Sequence, residues 1–546
     1  MSGRIAEGGT LGFREAFSIG VGGMIGGGIF AVLGLSLQLA GAGAPVAFLL
    51  AGLVALATAY SYARLTMRYP SRGGTVEFLV RGYGPGLVAG GLNILLIVSY
   101  TVMISLYAYA FGSYAASLAG GGRLLSHLLA SLVIVVFTLV NALGGLVSSR
   151  VEDALVFFKL AVLLLVALPG LLMVEWSRFS PSRWPQLSSI VVGGMIIFLA
   201  YEGFELIANA AGEASSLEDL SKAYYASVAT VTAVYIAIAL VSAGILSPSE
   251  VVRARDYALA EVASREMGSA GFYTVVAAAL ASTASAINAT LYGTAGISYV
   301  VARYGQLPRV MAKSVWRHAP EGLLIIALAS LVLVNTEGLE AIAFAGSAGF
   351  LLIFAMVDLA AYRLRREAKA NPLLALTGFL SSLAVLALLV GYTAAREPGQ
   401  AALFLLLLAG SFAAEWLYRA ATGRRIAGYI DYRLVERERL KMGWRQWIPR
   451  VVAVLNRVLR DFELYLVGGI ARGELEQSHD VDLLVATSEK MSSRKLEARV
   501  RREAGLQLHP LHIHVSSPQE KEKWLRRSGR YLKLTEKKPA EQRRTS

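Results

Sequence analysis

The sequence predicts an all-α polytopic membrane protein followed by a small α/β domain. Of the 546 residues, 55% are hydrophobic and only 16% are charged, with a mean hydropathy of +0.55, which excludes an ordinary soluble globular protein. Apolar runs long enough to cross a ~30 Å hydrocarbon core recur along most of the chain. Near residue 420 these runs stop, and a basic segment with strand-like stretches follows. Cysteine is absent, which excludes disulfide and thiol chemistry.

Twelve transmembrane helices are expected from the apolar runs, at about 13–39, 44–66, 86–117, 124–146, 151–174, 188–212, 224–247, 270–300, 321–336, 340–362, 373–394 and 400–418. The first run is too long for a cleavable signal peptide. With the N-terminus inside, the cytoplasmic loops carry 14 lysines and arginines and the outer loops carry 7. The positive-inside rule then places both termini of this multi-pass protein in the cytoplasm, and we expect the cell (plasma) membrane as its location.

The chain is expected to have three parts: a membrane domain over 1–420, a basic amphipathic connector over 421–444, and a cytoplasmic domain with a basic tail over 445–546. From Arg419 onward, 28 basic residues stand against 16 acidic ones. Such a charge suits contact with the anionic surface of the lipid bilayer or with an anionic ligand.

Trp444, Trp447 and Ile448 lie among arginines in an amphipathic pattern. This pattern fits either a helix lying on the membrane surface or the first helix of a soluble domain. Beyond it, strand-like and helical stretches alternate, which predicts a small α/β domain. The expected strands cover 462–467, 481–485 and 511–515, and the expected helix covers about 489–504.

Three consecutive glycines interrupt the first apolar run. Gly26, Gly27 and Gly28 weaken a membrane helix where lipid offers no replacement hydrogen-bond partners, and irregular backbone there is tolerated only in a protein interior or beside a cavity. The glycines therefore predict a site for a small ligand held by backbone groups. Close packing of helices through small residues would explain the same glycines.

The sixth run carries a second interruption, from Phe198 to Glu205. Glu202 and Glu205 are costly in lipid, so we expect them to face the protein interior or water. Interruptions in the first and sixth runs fit a 5+5 inverted repeat, in which paired broken helices mark a transporter's binding site. Buried structural hydrogen bonds of the two carboxylates are the alternative explanation.

Lys159 is the membrane domain's only lysine well inside an apolar run. A buried ammonium can exchange a proton where an ordinary lysine cannot, so Lys159 is a candidate proton-coupling group. Because the residue lies near the cytoplasmic start of its run, its long side chain could instead reach the membrane interface.

Four motifs, in the right order, resemble the amino-acid permeases of the amino acid–polyamine–organocation (APC) superfamily. They are Gly22 to Gly34, Tyr69 to Thr75, Phe198 to Glu205, and Leu291 to Ala295 leading to Arg303 to Pro308. The resemblance covers about residues 10–418. It implies a LeuT-like fold with ten core and two peripheral helices, alternating access, an amino acid as substrate, and no cofactor for transport.

The resemblance also implies residue roles. The N–H groups of Gly26, Gly27 and Gly28 would bind the substrate carboxylate, helped by the positive end of the following half-helix. The family more often has serine or alanine at the position of Gly27. The unwound segment of the sixth run would receive the substrate's amino group, with two aromatic side chains flanking the pocket; these residues are Phe198, Ala200, Tyr201, Glu202 and Gly203.

The region of Lys159 is where sodium-coupled relatives bind an ion, and several relatives carry a lysine there instead. Ser282, Thr283 and Ser285 match the opposite wall of that region. We therefore expect coupling to protons rather than sodium. Hydroxyl groups on membrane helices are also ordinary interhelical hydrogen-bond donors.

The tail resembles the minimal nucleotidyltransferase signature, because Gly468-Gly469 is followed after ten residues by Asp480-Val481-Asp482. A glycine turn admits a nucleoside triphosphate, and carboxylates at i and i+2 on a strand share one face and can hold Mg²⁺. Asp480 and Asp482 are the candidate catalytic and metal residues. The candidate nucleotide-binding residues are Gly468, Gly469 and Arg472.

The tail also departs from that signature. Gly469 stands where the signature has serine, and His512 stands where a third carboxylate is expected. Imidazole is a poor Mg²⁺ ligand compared with carboxylate. The domain is therefore expected either to bind nucleotide without transferring it or to be degenerate, and whether it is an enzyme stays open.

Two functions from different classes remain. The first is a secondary transporter of amino acids, coupled to protons, with a cytoplasmic nucleotide-binding or regulatory domain. The second is a membrane-tethered nucleotidyltransferase acting on a cytoplasmic substrate. We favour the transporter because paired broken helices exceed what an anchor requires. A channel is disfavoured, since neither a ring of charges nor a carbonyl filter signature occurs.

Overall fold

The computed structural model describes residues 11–71, 73–84, 86–143, 149–303, 314–316, 319–422, 441, 443–472, 480–489, 491–504, 506 and 509–537. The chain divides into two compact units, one within residues 9–429 and one within 430–546. The division falls inside the expected connector, most of which lies outside the described residues.

Helices make up nearly all of the described part of the first unit. They are α1 (Phe13–Met24), α2 (Gly28–Ala40), α3 (Ala44–Arg68), α4 (Thr75–Tyr83), α5 (Leu87–Leu118), α6 (Arg123–Ala142), α7 (Ser149–Gly170), α8 (Leu187–Phe198), α9 (Leu206–Asn209), α10 (Leu217–Ile245), α11 (Pro248–Arg253), α12 (Ala258–Arg303), α13 (Glu321–Thr336), α14 (Leu339–Arg363), α15 (Arg365–Ala368), α16 (Pro372–Arg396) and α17 (Pro398–Thr422). A short antiparallel pair, β1 (Ser314–Trp316) and β2 (Ala319–Pro320), precedes α13.

Ten helical stretches within the described residues are long and apolar enough to cross a membrane, by length and composition. One of these stretches, Gly28–Arg68, contains both α2 and α3, and Gly322–Thr336 is a shorter apolar helix. The prediction of a polytopic helical membrane protein is confirmed. The count of twelve spans and the inverted repeat stay predictions.

Local chemistry explains where two helices depart from the expected spans. α10 begins seven residues before the expected apolar run. The side chain of Ser216 caps the helix there, because it accepts a hydrogen bond from the backbone N–H of Asp219 at 3.2 Å. α12 extends twelve residues before its expected start, and Gly268 interrupts its regular helical conformation with φ of 65°. That left-handed conformation is accessible to glycine without steric cost.

Both predicted interruptions are present. α1 ends at Met24 and α2 begins at Gly28, so the first glycine cluster is unwound. In the sixth run, α8 ends at Phe198, a single 3₁₀ turn covers Leu199–Tyr201, and irregular backbone continues to α9. α2 packs along α8, and α1 packs along α10, so both interruptions lie in the buried core of this unit.

The second unit is a small α/β domain, as predicted. Its four-stranded sheet has the order β5-β4-β3-β6, in which β3 pairs antiparallel with β4 and β6, and β4 pairs parallel with β5. Its elements are α18 (Trp444–Val458), β3 (Phe462–Val467), α19 (Gly468–Arg472), β4 (Val481–Ala486), α20 (Ser493–Glu503), β5 (Leu511–Ser516), α21 (Lys521–Ser528) and β6 (Leu532–Lys537).

The apolar face of α18 forms part of this domain's core. Trp447, Val451 and Leu455 are buried and belong to the same cluster as the strand residues Leu464 and Leu483. Burial of these large side chains is the main favourable contribution to folding. α18 therefore has the packing of the first helix of a folded domain rather than that of a helix lying on a membrane surface.

Candidate functional site

The two interruptions of the membrane unit touch each other backbone to backbone. A Cβ on Gly23 would lie 2.8 Å from the carbonyl oxygen of Gly203, and a Cβ on Gly28 would lie 2.7 Å from the Cα of Ala200. Side chains cannot be accommodated at such distances without movement of the backbone. The packing interpretation of the glycines thus holds for Gly23, Gly28 and Gly203, and it is compatible with a ligand site beside them.

Hydroxyl groups hold the unwound carbonyls in place. Tyr235 donates from its hydroxyl to the carbonyl oxygen of Met24 at 2.8 Å and to that of Ala200 at 3.2 Å, which joins the two interruptions. Ser282 donates to the carbonyl oxygens of Ile25 and Gly26. Backbone groups released by unwinding must find partners in a membrane interior, and these two side chains supply them.

Three tyrosines of α5 point towards the interruptions. Tyr100 donates to Oε1 of Glu205 at 3.2 Å, and Tyr107 lies 3.5 Å from Oε2 of Glu202. Tyr114 donates to the carbonyl oxygen of Phe30 at 3.3 Å. Residues seven apart lie on one face of a helix, so a single side of α5 supplies donors to both broken segments.

A cavity of about 210 Å³ lies beside the interruptions. Its lining comes from α1, α5, α7, α9, α12 and the break in the sixth run, and includes Gly22, Gly23, Tyr100, Tyr107, Lys159, Glu202, Gly203, Asn209, Ser285 and Thr290. Among the lining residues, Lys159 and Glu202 are the one base and the one acid. The structure thus brings together four of the predicted site residues: Lys159, Glu202, Gly203 and Ser285.

Lys159 is buried in the protein, with 2% of its surface exposed. A lysine whose side chain reaches the membrane interface would have its ammonium group in water. Lys159 instead lies buried beside the cavity.

The other predicted site residues of the membrane unit lie behind the cavity lining. Gly27 packs against Tyr107, since a Cβ there would lie 2.3 Å from the ring. The hydroxyl of Tyr201 donates to the carbonyl oxygen of Phe48 at 2.9 Å, and the ring of Phe198 packs edge-on against Phe354. Also outside the lining are Gly26, Gly28, Ala200, Ser282 and Thr283.

A larger cavity of about 1070 Å³ lies where the ends of α5 and α6 meet the segments around Arg255 and Glu340. Arg255 pairs there with Asp256 at 3.0 Å and with Glu340 at 2.5 Å. Because this wide cavity is lined by neither broken segment, the smaller cavity is the candidate substrate site.

In the second unit, Gly468 lies directly against Asp482. Gly468 has φ of 75°, and a Cβ at this position would lie 2.4 Å from Oδ2 of Asp482. Arg472 ends α19, which starts at this glycine, and Asp480 lies directly before β4. The motif residues between Arg472 and Asp480 lie outside the described residues.

Two histidines complete the site around Asp482. Nδ1 of His512 lies 3.4 Å from Oδ1 of Asp482, and Nε2 of His514 lies 3.6 Å from the same oxygen. Mg²⁺ prefers an all-oxygen environment, so a group with two imidazoles and one carboxylate fits Mg²⁺ poorly. The predicted proximity of His512 to the carboxylate site is therefore present, but the donors around Asp482 differ from those expected for magnesium.

Comparison with known proteins identifies both units. The family described as "Amino acid permease" matches residues 11–412. The chain belongs to the amino acid permease family. The model described as "Nucleotidyltransferase domain" matches residues 449–538, so this permease carries a C-terminal nucleotidyltransferase domain.

This permease has relatives that are named as membrane transport proteins. It is 35% identical to the inner membrane transport protein YbaT of Escherichia coli over 69% of this chain and 88% of that protein. It is 27% identical to the serine/threonine exchanger SteT of Bacillus subtilis over 55% of this chain and 69% of that protein. A manganese transporter of Eremococcus coleocola has the same fold, with a TM-score of 0.52, 13% identity, and coverage of 78% of this chain and 98% of that chain.

Several site residues of the permease escaped the sequence-based prediction. Tyr100 and Tyr107 carried a usable signal, because hydroxyl groups recur at a spacing of seven along an otherwise apolar run. His514 also carried a usable signal, because it is two residues from His512 and therefore lies on the same face of a predicted strand. No local signal marked Tyr235, whose partners Met24 and Ala200 are remote in the sequence.

Proposed function

We propose that this permease moves neutral amino acids across the plasma membrane together with protons. The cavity beside the two broken helices, with Lys159 and Glu202 in one lining, carries this proposal. The lining contains one basic and one acidic side chain, and a zwitterionic substrate has one charge of each sign. Such a lining leaves no surplus charge for a charged substrate side chain, which favours neutral amino acids.

Substrate recognition is proposed to use the unwound backbone. The N–H groups of Gly26, Gly27 and Gly28 precede or begin α2, whose N-terminal dipole end favours a carboxylate. Carbonyl oxygens from Ala200 to Gly203 would bind the amino group, with Phe198 and Tyr201 behind them. In support, Gly28 packs directly against Ala200, so the two proposed backbone sites adjoin.

The names of two relatives agree with a neutral substrate. One is a serine/threonine exchanger and another, from Lactococcus lactis, is a branched-chain amino acid permease. A cationic amino acid transporter of Arabidopsis thaliana is also a relative, so arginine and lysine belong in any test of substrates.

Proton coupling is proposed to depend on Lys159. Its ammonium is buried beside the same cavity as Ser285, the region of the family's cation site. Loss of the proton in one access state would link proton movement to the conformational cycle. Ser282 and Thr283 are proposed to support this region from α12.

Uptake into proteoliposomes tests the proposal. Counterflow of labelled alanine, challenged with a panel of unlabelled amino acids, should show competition by neutral and not by cationic amino acids. An inward proton gradient should drive uptake without sodium, and Lys159→Ala should stop or uncouple it. Lys222→Ala is the matched control, because the side chain of Lys222 is 69% exposed. Sodium-driven uptake that survives Lys159→Ala would contradict the proposed coupling.

The proposed topology has twelve spans with both termini in the cytoplasm. Because the chain contains no cysteine, single introduced cysteines report accessibility without background. Ser182→Cys should react with an impermeant maleimide added outside intact cells, whereas Arg366→Cys should react only after permeabilisation. The reverse pattern would invert the topology.

For the second unit, we propose a nucleotide-binding domain that regulates transport. The close approach of Gly468 and Asp482 supports it, because a glycine turn beside a carboxylate is the arrangement the signature requires. Gly469 and Arg472 would steady the phosphates. The second candidate function is a membrane-tethered nucleotidyltransferase with Asp480 and Asp482 as catalytic residues. The match to the nucleotidyltransferase domain supports it.

Equilibrium dialysis of the full chain with radiolabelled nucleoside triphosphates distinguishes these functions. Nucleotide binding that Arg472→Ala weakens, with no release of pyrophosphate, supports a regulatory domain. Pyrophosphate release abolished by Asp480→Ala with Asp482→Ala supports the enzyme. Absence of any binding would contradict both.

A further inference from the structure

One carboxylate and two imidazoles meet on a single face of the second unit's sheet. They belong to Asp482, His512 and His514, whose ligand atoms all lie within 4.8 Å of one another. We propose that these three residues bind a divalent transition-metal ion of the Zn²⁺ class. This site goes beyond the transport and nucleotide binding proposed above and depends on neither.

Strand register, rather than loop conformation, places the three side chains. β4 and β5 are parallel, with Asp482 opposite His512 and Leu484 opposite His514. His512 and His514 are separated by one residue, so both project from the same face of β5. Ligands carried by strands are held more accurately than ligands carried by loops.

The distances suit a tetrahedral ion. Zinc binds imidazole nitrogen at about 2.0–2.1 Å and carboxylate oxygen at about 2.0–2.2 Å, so neighbouring ligand atoms lie about 3.3–3.5 Å apart. Oδ1 of Asp482 lies 3.4 Å from Nδ1 of His512 and 3.6 Å from Nε2 of His514. These two oxygen-to-nitrogen distances therefore match those around a shared tetrahedral ion to within a few tenths of an ångström, and the three ligand atoms all lie within 4.8 Å of one another.

Neighbouring groups hold two of the ligands in place. Oδ2 of Asp482 lies against Gly468, where a Cβ would come within 2.4 Å of it, and the other oxygen faces the imidazoles. The ring of His514 packs against Trp524 with 4.8 Å between ring centroids. Such surrounding contacts orient metal ligands and raise metal affinity.

The donor set selects the class of metal. Two nitrogens and one carboxylate oxygen suit zinc, iron, cobalt or nickel, whereas Mg²⁺ and Ca²⁺ require mainly oxygen. Three protein ligands leave a fourth position for water or an anionic oxygen. The side chain of His512 is 52% exposed, so this position is accessible to solvent.

Titration of the purified, metal-depleted full chain with Co²⁺ tests the site, because tetrahedral Co²⁺ absorbs visibly and Zn²⁺ should displace it. One equivalent should bind, and a large excess of Mg²⁺ should not compete. Asp482→Asn, His512→Ala and His514→Ala should each weaken Co²⁺ binding about tenfold or more, since even outer-shell changes have effects of this size.

Two further variants test whether Co²⁺ binding depends specifically on the proposed ligands. His509→Gln removes a histidine of the same domain outside the cluster, so it should bind Co²⁺ like the wild type. His512→Asp replaces nitrogen with oxygen and should shift preference from Co²⁺ towards Mg²⁺. Unchanged hydrogen exchange in Trp444–Val458 would show that each variant is folded. Co²⁺ binding that is absent in the wild type, or equal in the wild type and a folded His512→Ala/His514→Ala protein, would overturn the proposal.

Discussion

Gly23 and Gly203 lie so close that a Cβ on Gly203 would be 2.3 Å from the carbonyl carbon of Gly23. The two residues belong to different broken helices, 180 positions apart in the chain. Gly203 also has φ of 125°, a conformation that side chains rarely adopt. Gly203 is thus required both by its own backbone and by its partner, whereas Gly23 is required by its partner alone, and the contact fixes how the two breaks meet beside the cavity.

Gly203→Ala should therefore impair transport and folding together. Overpacking in a buried region costs about 1–3 kcal/mol, and the positive φ adds strain. We expect a lower melting temperature in detergent and strongly reduced uptake. Gly391→Ala is the matched control, since a Cβ there meets no atom within 4 Å. Wild-type uptake and stability in Gly203→Ala would show that the two breaks can separate freely.

Tyr235→Phe should weaken the link between the same two segments. The change deletes the hydroxyl that donates to the carbonyl oxygens of Met24 and Ala200, leaving both without this buried donor. Loss of a buried partner costs about 1–3 kcal/mol, so thermal stability and transport rate should fall. Tyr273→Phe, at a tyrosine that is 59% exposed, should change neither. Equal effects of both substitutions would exclude a specific bridging role.

Much of this architecture was predictable from the sequence because membrane and strand patterns are local. Apolar runs locate the helices, and the glycines at 26–28 and the carboxylates at 202 and 205 locate the breaks. The bridging role of Tyr235 depends on Met24, 211 positions away, and on Ala200, 35 positions away, which no local pattern encodes. The contact of Tyr107 with Gly27 similarly joins segments that are remote in the sequence, so no local pattern marked it.

In the second unit, too, elements with a local sequence pattern were predicted, and an element that depends on a remote partner was not. β3, β4 and β5 were predicted because their buried apolar residues recur, whereas β6 was missed. β6 (Leu532–Lys537) is an edge strand in which lysines and threonine alternate with leucines, and its pairing depends on β3. Charged side chains are typical of edge strands, so the composition of β6 indicated a solvated segment rather than a strand.

Gly468→Ala should abolish nucleotide binding by the full chain. Its φ of 75° and the 2.4 Å approach to Asp482 leave no room for a methyl group, and the left-handed conformation alone costs a non-glycine residue about 1–2 kcal/mol. Displacement of Asp482 should weaken Co²⁺ binding as well. Gly443→Ala, at a glycine with φ of −90°, is the control. Equilibrium dialysis measures both ligands, and full nucleotide affinity in Gly468→Ala would place the nucleotide elsewhere.

The second unit should lose stability at mildly acidic pH because of His509. Burial, together with the positive charges of Arg450 and Arg501, lowers the pKa of this imidazole to about 4. The ring packs edge-on against Trp447 in the core. In an unfolded chain the pKa of histidine is about 6.5, so between these values the unfolded state binds the proton more readily. The stability contributed by neutral His509 is therefore complete above pH 6.5 and is lost as the pH falls towards 4.

His509→Leu should remove this pH dependence. Near pH 5 the variant should be more stable than the wild type by about 1 kcal/mol, after allowance for solvent screening of a half-buried group, whereas the pH-dependent difference should vanish at pH 8. Hydrogen exchange of Trp444–Val458 in the full chain reports the stability of this unit separately from that of the membrane unit. Parallel pH profiles for the wild type and His509→Leu would show that protonation of another group governs acid unfolding.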